Sequence, residues 1–443
     1  MDRHLFVFNI VGLSPKHLQY LETLPAFSYL ISNGTWVPMK PVFPCLTIPA
    51  QASIATGTYP CEHGMIANGL FYNDRLEVSF WEQFRSLLQV EPFWERVKRV
   101  KPSLKTAILF WQNTLYGNSD IIITPRPIHT EHQLIQWCYS KPVGLYEELA
   151  REFKPFELLD YWGPFASSQS SRWIINAAIS VFKKQRPQLM MIYMPHLDYS
   201  SQRSGPDDPI IFDDLKVVDE LVGNFLDEIK RMDLLESSVF AVFSEYSFSR
   251  VTRAVCLNRS LRQAGFLKIR EIEGKEYLDL EMSTAFAMVD HQIAHVYVHE
   301  EYEENVMAFL KTVDGIQLVL NREQQKEYRV NHERGGDLLT VTHPDRWFAY
   351  YWWETEEKAP DFAHGVDIHR KPGYDPLELF FDSEKMVVPT DTSLIKGSHG
   401  ASAGQGERMA VFMMSGKAPE DIFTREQIEM VDIMPILEGI LIE

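Results

Sequence analysis

The chain has 443 residues, 45% of them hydrophobic and 12% aromatic, which suits one large α/β unit with an insertion and leaves little room for disorder. A formal net charge of −18 sets nucleic acid and anionic membranes aside as partners, while a small anionic substrate stays open because a bound cation reverses the field locally. The four cysteines form no C-x-x-C pair, the N-terminal apolar run is short for a signal peptide, and no stretch reaches the ~20 apolar residues of a membrane span, so a cytoplasmic location is expected.

Residues 5–10 form a continuous apolar run, the pattern of a parallel strand covered on both faces. Gly12 and Pro15 break it, and a helix is expected over 16–33. Short apolar runs recur at 105–110, 120–124, 189–193, 239–243 and 409–414 with helical stretches between them. That alternation predicts a doubly wound, mostly parallel central sheet with helices on both faces and functional residues at the carboxyl ends of its strands. Residues 255–320 read differently, with strand-like pieces at 285–290 and 293–299 and an acidic helical piece from Glu300. They are assigned to a smaller inserted cap, leaving 1–254 and 321–443 as the core.

The most informative stretch runs from Pro44 to Gly57. Thr47 can serve as an N-cap, Pro49 sits in the first turn, and Gly57 is placed to end the helix. A hydroxyl at a helix N-terminus is well placed to attack phosphorus, because the free N–H groups and the dipole favour phosphoryl oxygens there. The plain alternative is a capping threonine.

Residues 41–68, PVFPCLTIPAQASIATGTYPCEHGMIAN, resemble the signature of the type I phosphodiesterases and nucleotide pyrophosphatases in the alkaline phosphatase superfamily. The resemblance implies an alkaline-phosphatase-like fold, Thr47 as covalent nucleophile, and Asn68 as a holder of a phosphoryl oxygen. His63 is read as a structural residue of its turn. The asparagine–histidine pair that follows the nucleophile in the family falls at Ala50 and Gln51, so its support is expected to be missing.

The resemblance also implies two divalent ions, usually zinc, on seven protein ligands. Here those positions carry Val11, Thr47, Asp198, Gln202, Glu245, Tyr246 and His399. Valine has no donor, a glutamine carbonyl is a weak zinc ligand, and a phenol ligates only when deprotonated. Asn9, two residues before Val11, lies about 6–7 Å deeper by strand rise and is a poor substitute. Asp198, Glu245 and His399 are the expected ligands, with Gln202 as an accessory and one ion favoured over two. Asp367 and His369, two apart and followed by Arg370 and Lys371, are added as compensating ligands; a salt-bridged connection is the competing reading. The Asp290–His291 pair is placed in the cap, with a ligand role disfavoured, and His196 is an extra candidate. His343 and Asp345 read as a turn into an aromatic strand over 347–353.

The expectation is therefore a metal-dependent hydrolase of phosphodiester or pyrophosphate bonds in a small phosphorylated metabolite, acting through a phosphothreonine. The alternative is a degenerate member that keeps the fold and serves as a ligand-binding or scaffold protein.

Overall fold

The computed structural model describes residues 3–131, 134–401, 409–416 and 425–442. Its centre is a nine-stranded sheet. Five parallel strands form the middle, in the order Ser238–Phe243, His4–Ile10, Leu189–Met194, Thr106–Leu109 and Ile121–Pro125. On one side follow Ala410–Ser415, antiparallel to Ser238–Phe243, then Gly34–Lys40, antiparallel to Ala410–Ser415, and Ile428–Glu429, parallel to Gly34–Lys40; on the other side Cys138–Lys141 runs antiparallel to Ile121–Pro125. The expected doubly wound architecture is present.

Burial on both faces explains why the first strand reads as an unbroken apolar run. Phe6, Phe8 and Ile10 point into a core shared with Phe182 and Phe225 of the helices Ser168–Gln185 and Ile210–Arg231. Leu5 and Val7 point the other way, into a core with Ala50 and Ile54 of the helix Thr47–Thr56 and Leu437 of the helix Ile433–Ile442. Period-two alternation then carries almost no polar signal, Asn9 being the one polar residue between Leu5 and Ile10. The expected helix over 16–33 is instead two, Pro15–Leu21 and Pro25–Ser32. Pro25 pushes Leu24 into an extended conformation, so the second helix must restart there.

A second, antiparallel sheet takes the order Ala285–Asp290, Ile293–Val298, Leu338–Thr342, Ile316–Asn321. It draws strands from both sides of residue 320. Trp347, Tyr350, Trp352 and Trp353 are buried in the core beside it, so most of the aromatic supply of this region is packing. The strand here is Arg346–Ala349, entered through the expected turn at 343–345. The tight hairpin at Asp290–Ile293 lays its tip against the turn that carries His399: Gln292 N–H donates to the His399 carbonyl at 2.9 Å. That contact brings the second sheet to the carboxyl ends of the central strands.

Candidate active site

Thr47 opens the helix Thr47–Thr56, and Gly57 closes it in the left-handed conformation at φ 69°. The residue in the N-cap position is Leu46, with no side-chain cap, so Thr47 is not the expected N-cap. Asn68 does that work from outside the helix: its Oδ1 accepts the Ile48 N–H at 3.0 Å. The Thr47 hydroxyl is thereby free of the backbone. It pairs with the Tyr246 hydroxyl at 2.9 Å, which in turn donates to Asp198 Oδ1 at 3.3 Å. Asp198 Oδ2 accepts from Gln202 Nε2, and Gln202 Oε1 accepts from the Tyr374 hydroxyl at 3.0 Å. One polar chain thus runs Thr47–Tyr246–Asp198–Gln202–Tyr374, wholly buried.

Two further groups flank this chain. Glu245 Oε1 accepts from Asn9 Nδ2 and Gln51 Nε2, both at 2.6 Å, and Gln51 Oε1 accepts the Gln112 N–H at 2.8 Å. Gln51, at the second of the two positions after the nucleophile, thus ties Glu245 to the Gln112 backbone, and Asn9 anchors the same carboxyl. Glu245 Oε2 is buried with no partner. On the other flank, His399 Nδ1 donates to the Cys45 carbonyl at 2.7 Å, which fixes the tautomer and leaves Nε2 as a lone pair. That Nε2 has no hydrogen-bond partner and lies 3.9 Å from Asp198 Oδ1. The His399 ring is sandwiched between Tyr246, at 3.6 Å and 11°, and His291, at 3.8 Å.

His291 was disfavoured as a site residue, and the hairpin brings it in. Its Nδ1 pairs with Asp290 Oδ1 at 2.7 Å, its ring stacks on Tyr374 at 3.7 Å, and it holds φ +57°, a strained value for a non-glycine residue. A D-H pair at a two-residue turn between strands was the available signal. Elsewhere, His63 bridges Ser53 and the Met65 N–H, as its structural reading requires. His196 pairs with Ser171 and the Asp214 carbonyl and takes no part in the polar chain. Asp367 is tied to Arg370, Lys371 forms buried ion pairs with Asp375 and Glu378, and His369 is exposed.

Burial dominates the electrostatics. It pushes Asp198 up to about 7 and Glu245 up to about 8, against the hydrogen bonds that Gln202 and Tyr246, and Gln51 and Asn9, give these carboxyls. Burial likewise drives His399 well below the usual imidazole range, so it stays neutral.

The family model for type I phosphodiesterase / nucleotide pyrophosphatase matches residues 5–375. The chain belongs to that family. Human ectonucleotide pyrophosphatase/phosphodiesterase family member 1 is 25% identical over 275 residues, 59% of this chain and 26% of that protein. The ectonucleotide pyrophosphatase/phosphodiesterase 2 of Saccharomyces cerevisiae is 26% identical over 263 residues, 56% of this chain and 44% of its own length. The matches thus span about a quarter to under half of these relatives. Two solved structures share the fold over nearly all of both chains. Phosphonoacetate hydrolase from Sinorhizobium meliloti 1021 has a TM-score of 0.66 at 15% identity, covering 99% of this chain and 96% of its own. An inactive murine ectonucleotide pyrophosphatase / phosphodiesterase 5 in complex with AMP has a TM-score of 0.62 at 15%, covering 100% and 95%.

The residues at the family's ligand positions do not fit its two-metal centre. Val11 is fully buried and apolar, and Gln202 has both amide atoms engaged. Tyr246 holds a neutral phenol, because burial raises it well above its usual range. Among the described residues no three His, Cys, Asp or Glu side chains converge as a ligand group.

Proposed function

We propose that the chain hydrolyses a phosphodiester or pyrophosphate bond in a small phosphorylated molecule, with Thr47 as the nucleophile. The observation that carries this reading is the Thr47 hydroxyl, which stands at a helix N-terminus and is linked through Tyr246 to Asp198. In the first step Thr47 Oγ1 bonds to phosphorus and the bond to the leaving oxygen breaks. The threonine proton passes to the Tyr246 oxygen as the Tyr246 proton passes to Asp198. With Asp198 poised near neutrality, both directions of this transfer are accessible. In the second step water bonds to phosphorus, the bond to Thr47 Oγ1 breaks, the proton held on Asp198 returns through Tyr246 to Thr47 Oγ1, and the water proton leaves with the phosphate product. Glu245, held protonated near neutral pH, offers a hydrogen-bond donor to a phosphoryl oxygen. The metal dependence implied by the family is the part of the reading that these side chains support least, and no step above requires it.

The substrate class is supported by the family, whose relatives are named for pyrophosphatase and phosphodiesterase activity, and by a fold neighbour solved in complex with AMP. A small cavity lined by Trp81, Trp162, Tyr374 and Glu378 shares Tyr374 with the polar chain and has room for about one water. Four free cysteines favour the cytoplasm, and no helix among the described residues is long and apolar enough to cross a membrane. The test is turnover of bis(p-nitrophenyl) phosphate and a dinucleoside pyrophosphate by wild type and Thr47→Ala. The altered ligand positions Val11, Gln202 and Tyr246 favour a second reading, a phosphoryl-binding protein without turnover. Stoichiometric AMP binding with no hydrolysis of either substrate would select it.

A further inference from the structure

The Tyr246 phenol stands among three groups that a divalent ion would draw together: a nucleophile oxygen, a carboxylate and an imidazole. Its oxygen is 2.9 Å from Thr47 Oγ1 and 3.3 Å from Asp198 Oδ1, and its ring lies flat on His399. Around it the donors an ion would need are mostly spent or do not converge. Glu245 Oε1 is shared by Asn9 and Gln51, its unpartnered Oε2 joins no three-residue ligand group among the described residues, Gln202 is engaged at both ends, and Val11 has nothing to offer. Asp198 and the Nε2 of His399 face each other at 3.9 Å, two donors where a catalytic zinc takes about three.

We infer that the Tyr246 hydroxyl has taken the bridging place of a metal ion, and that this chain assembles its phosphoryl site without a divalent cation at Thr47. The hydroxyl supplies directionality that the ion supplied by charge: it orients the Thr47 oxygen and ties it to Asp198 by short contacts. The aromatic stack of Tyr246, His399, His291 and Tyr374 holds those atoms in register. The ligand half of this inference rests on reading the centre as a phosphoryl site; the metal half does not.

The experiment combines elemental analysis of chelator-free protein with equilibrium binding of zinc and of inorganic phosphate, for wild type, Tyr246→Phe and Tyr246→His. The inference expects wild type to carry divalent metal well below one equivalent, and phosphate binding to be unaffected by EDTA. It expects Tyr246→Phe to weaken phosphate binding without gaining metal. Tyr246→His should gain zinc affinity by about tenfold or more, the low end of what a residue near a metal is worth. One or more equivalents of metal in wild type, with phosphate binding lost on chelation, overturns the inference, and so does a folded Tyr246→His that gains no zinc. Circular dichroism reports whether each variant folds, and if Tyr246→His does not, wild-type metal content decides. Failure of every form to bind phosphate with or without zinc would instead sink the proposed function, while the metal measurements still decide this point.

Discussion

Asp290 accepts two hydrogen bonds from Asn68, from its backbone N–H at 2.7 Å and its side-chain amide at 3.2 Å, and so fastens the second sheet to the segment that carries Thr47. Because Asn68 also accepts the Ile48 N–H, a carboxyl at the end of a strand of the second sheet sets the position of the helix N-terminus at which Thr47 stands. Asp290→Ala leaves a buried Asn68 N–H without a partner and should cost about 1–3 kcal/mol. Denaturant unfolding measures this, and a variant as stable as wild type would remove Asp290 from its positioning role.

Thr47→Ala removes one hydroxyl and one hydrogen bond to Tyr246, so the stability loss should be about 1 kcal/mol. Turnover of a phosphodiester should fall to background because the proposed covalent intermediate forms on the hydroxyl that is removed. A melting curve and a turnover assay on the same preparation separate the two effects. Alanine-variant activity near wild type contradicts the assignment.

Tyr246→Phe keeps the ring on His399 and deletes the bridge between Thr47 and Asp198. On the proposed path it lowers kcat by about 100-fold or more, the scale of a lost proton-transfer group, alongside a smaller rise in KM from weaker phosphoryl binding. Steady-state kinetics show the split; a KM effect alone would make Tyr246 a binding residue.

The pH dependence of stability follows from the buried titratable groups. Asp198 and Asp290 are raised to about 7 and Glu245 to about 8, with burial the first cause in each. Their contribution is complete below the unfolded carboxylate range, at about pH 4, and is lost as pH rises through 7 and 8. Burial lowers His63 to about 3 and His196 and His295 to about 4, so their contribution is complete above about pH 6.5 and lost as pH falls. Above about pH 6.5 only the carboxyls still change, so Tm should fall between about pH 6.5 and 8, and Glu245→Gln should flatten the upper part of that fall. A wild-type Tm that rises over this range would show that these carboxyls are not held protonated.

Six of the nine strands of the central sheet and the helix from Thr47 to its Gly57 stop were legible because their signals are local: apolar runs, a proline in the first turn, a glycine at the end; the edge strands Gly34–Lys40, Cys138–Lys141 and Ile428–Glu429 were not read. Asp198, Glu245 and His399 were legible through family motifs, which mark strand and turn ends. What escaped were partnerships made across the fold. Asn9 and Gln51 meet Glu245 at separations of 236 and 194 residues, and Asn68 meets Asp290 at 222. No periodicity reports such pairs. The misplaced cap on Thr47 has the same origin, since the group that satisfies the helix N-terminus comes from Asn68.

The central claim is a covalent step at Thr47, and the most direct measurement is acid quench of the enzyme during turnover of a phosphodiester, followed by peptide mass spectrometry. The account predicts a phosphorylated or phosphoester-modified Thr47 in wild type, enriched in the first turnover and absent from Thr47→Ala. Turnover with Thr47 unmodified at every time point, or the same adduct on another residue, would contradict it.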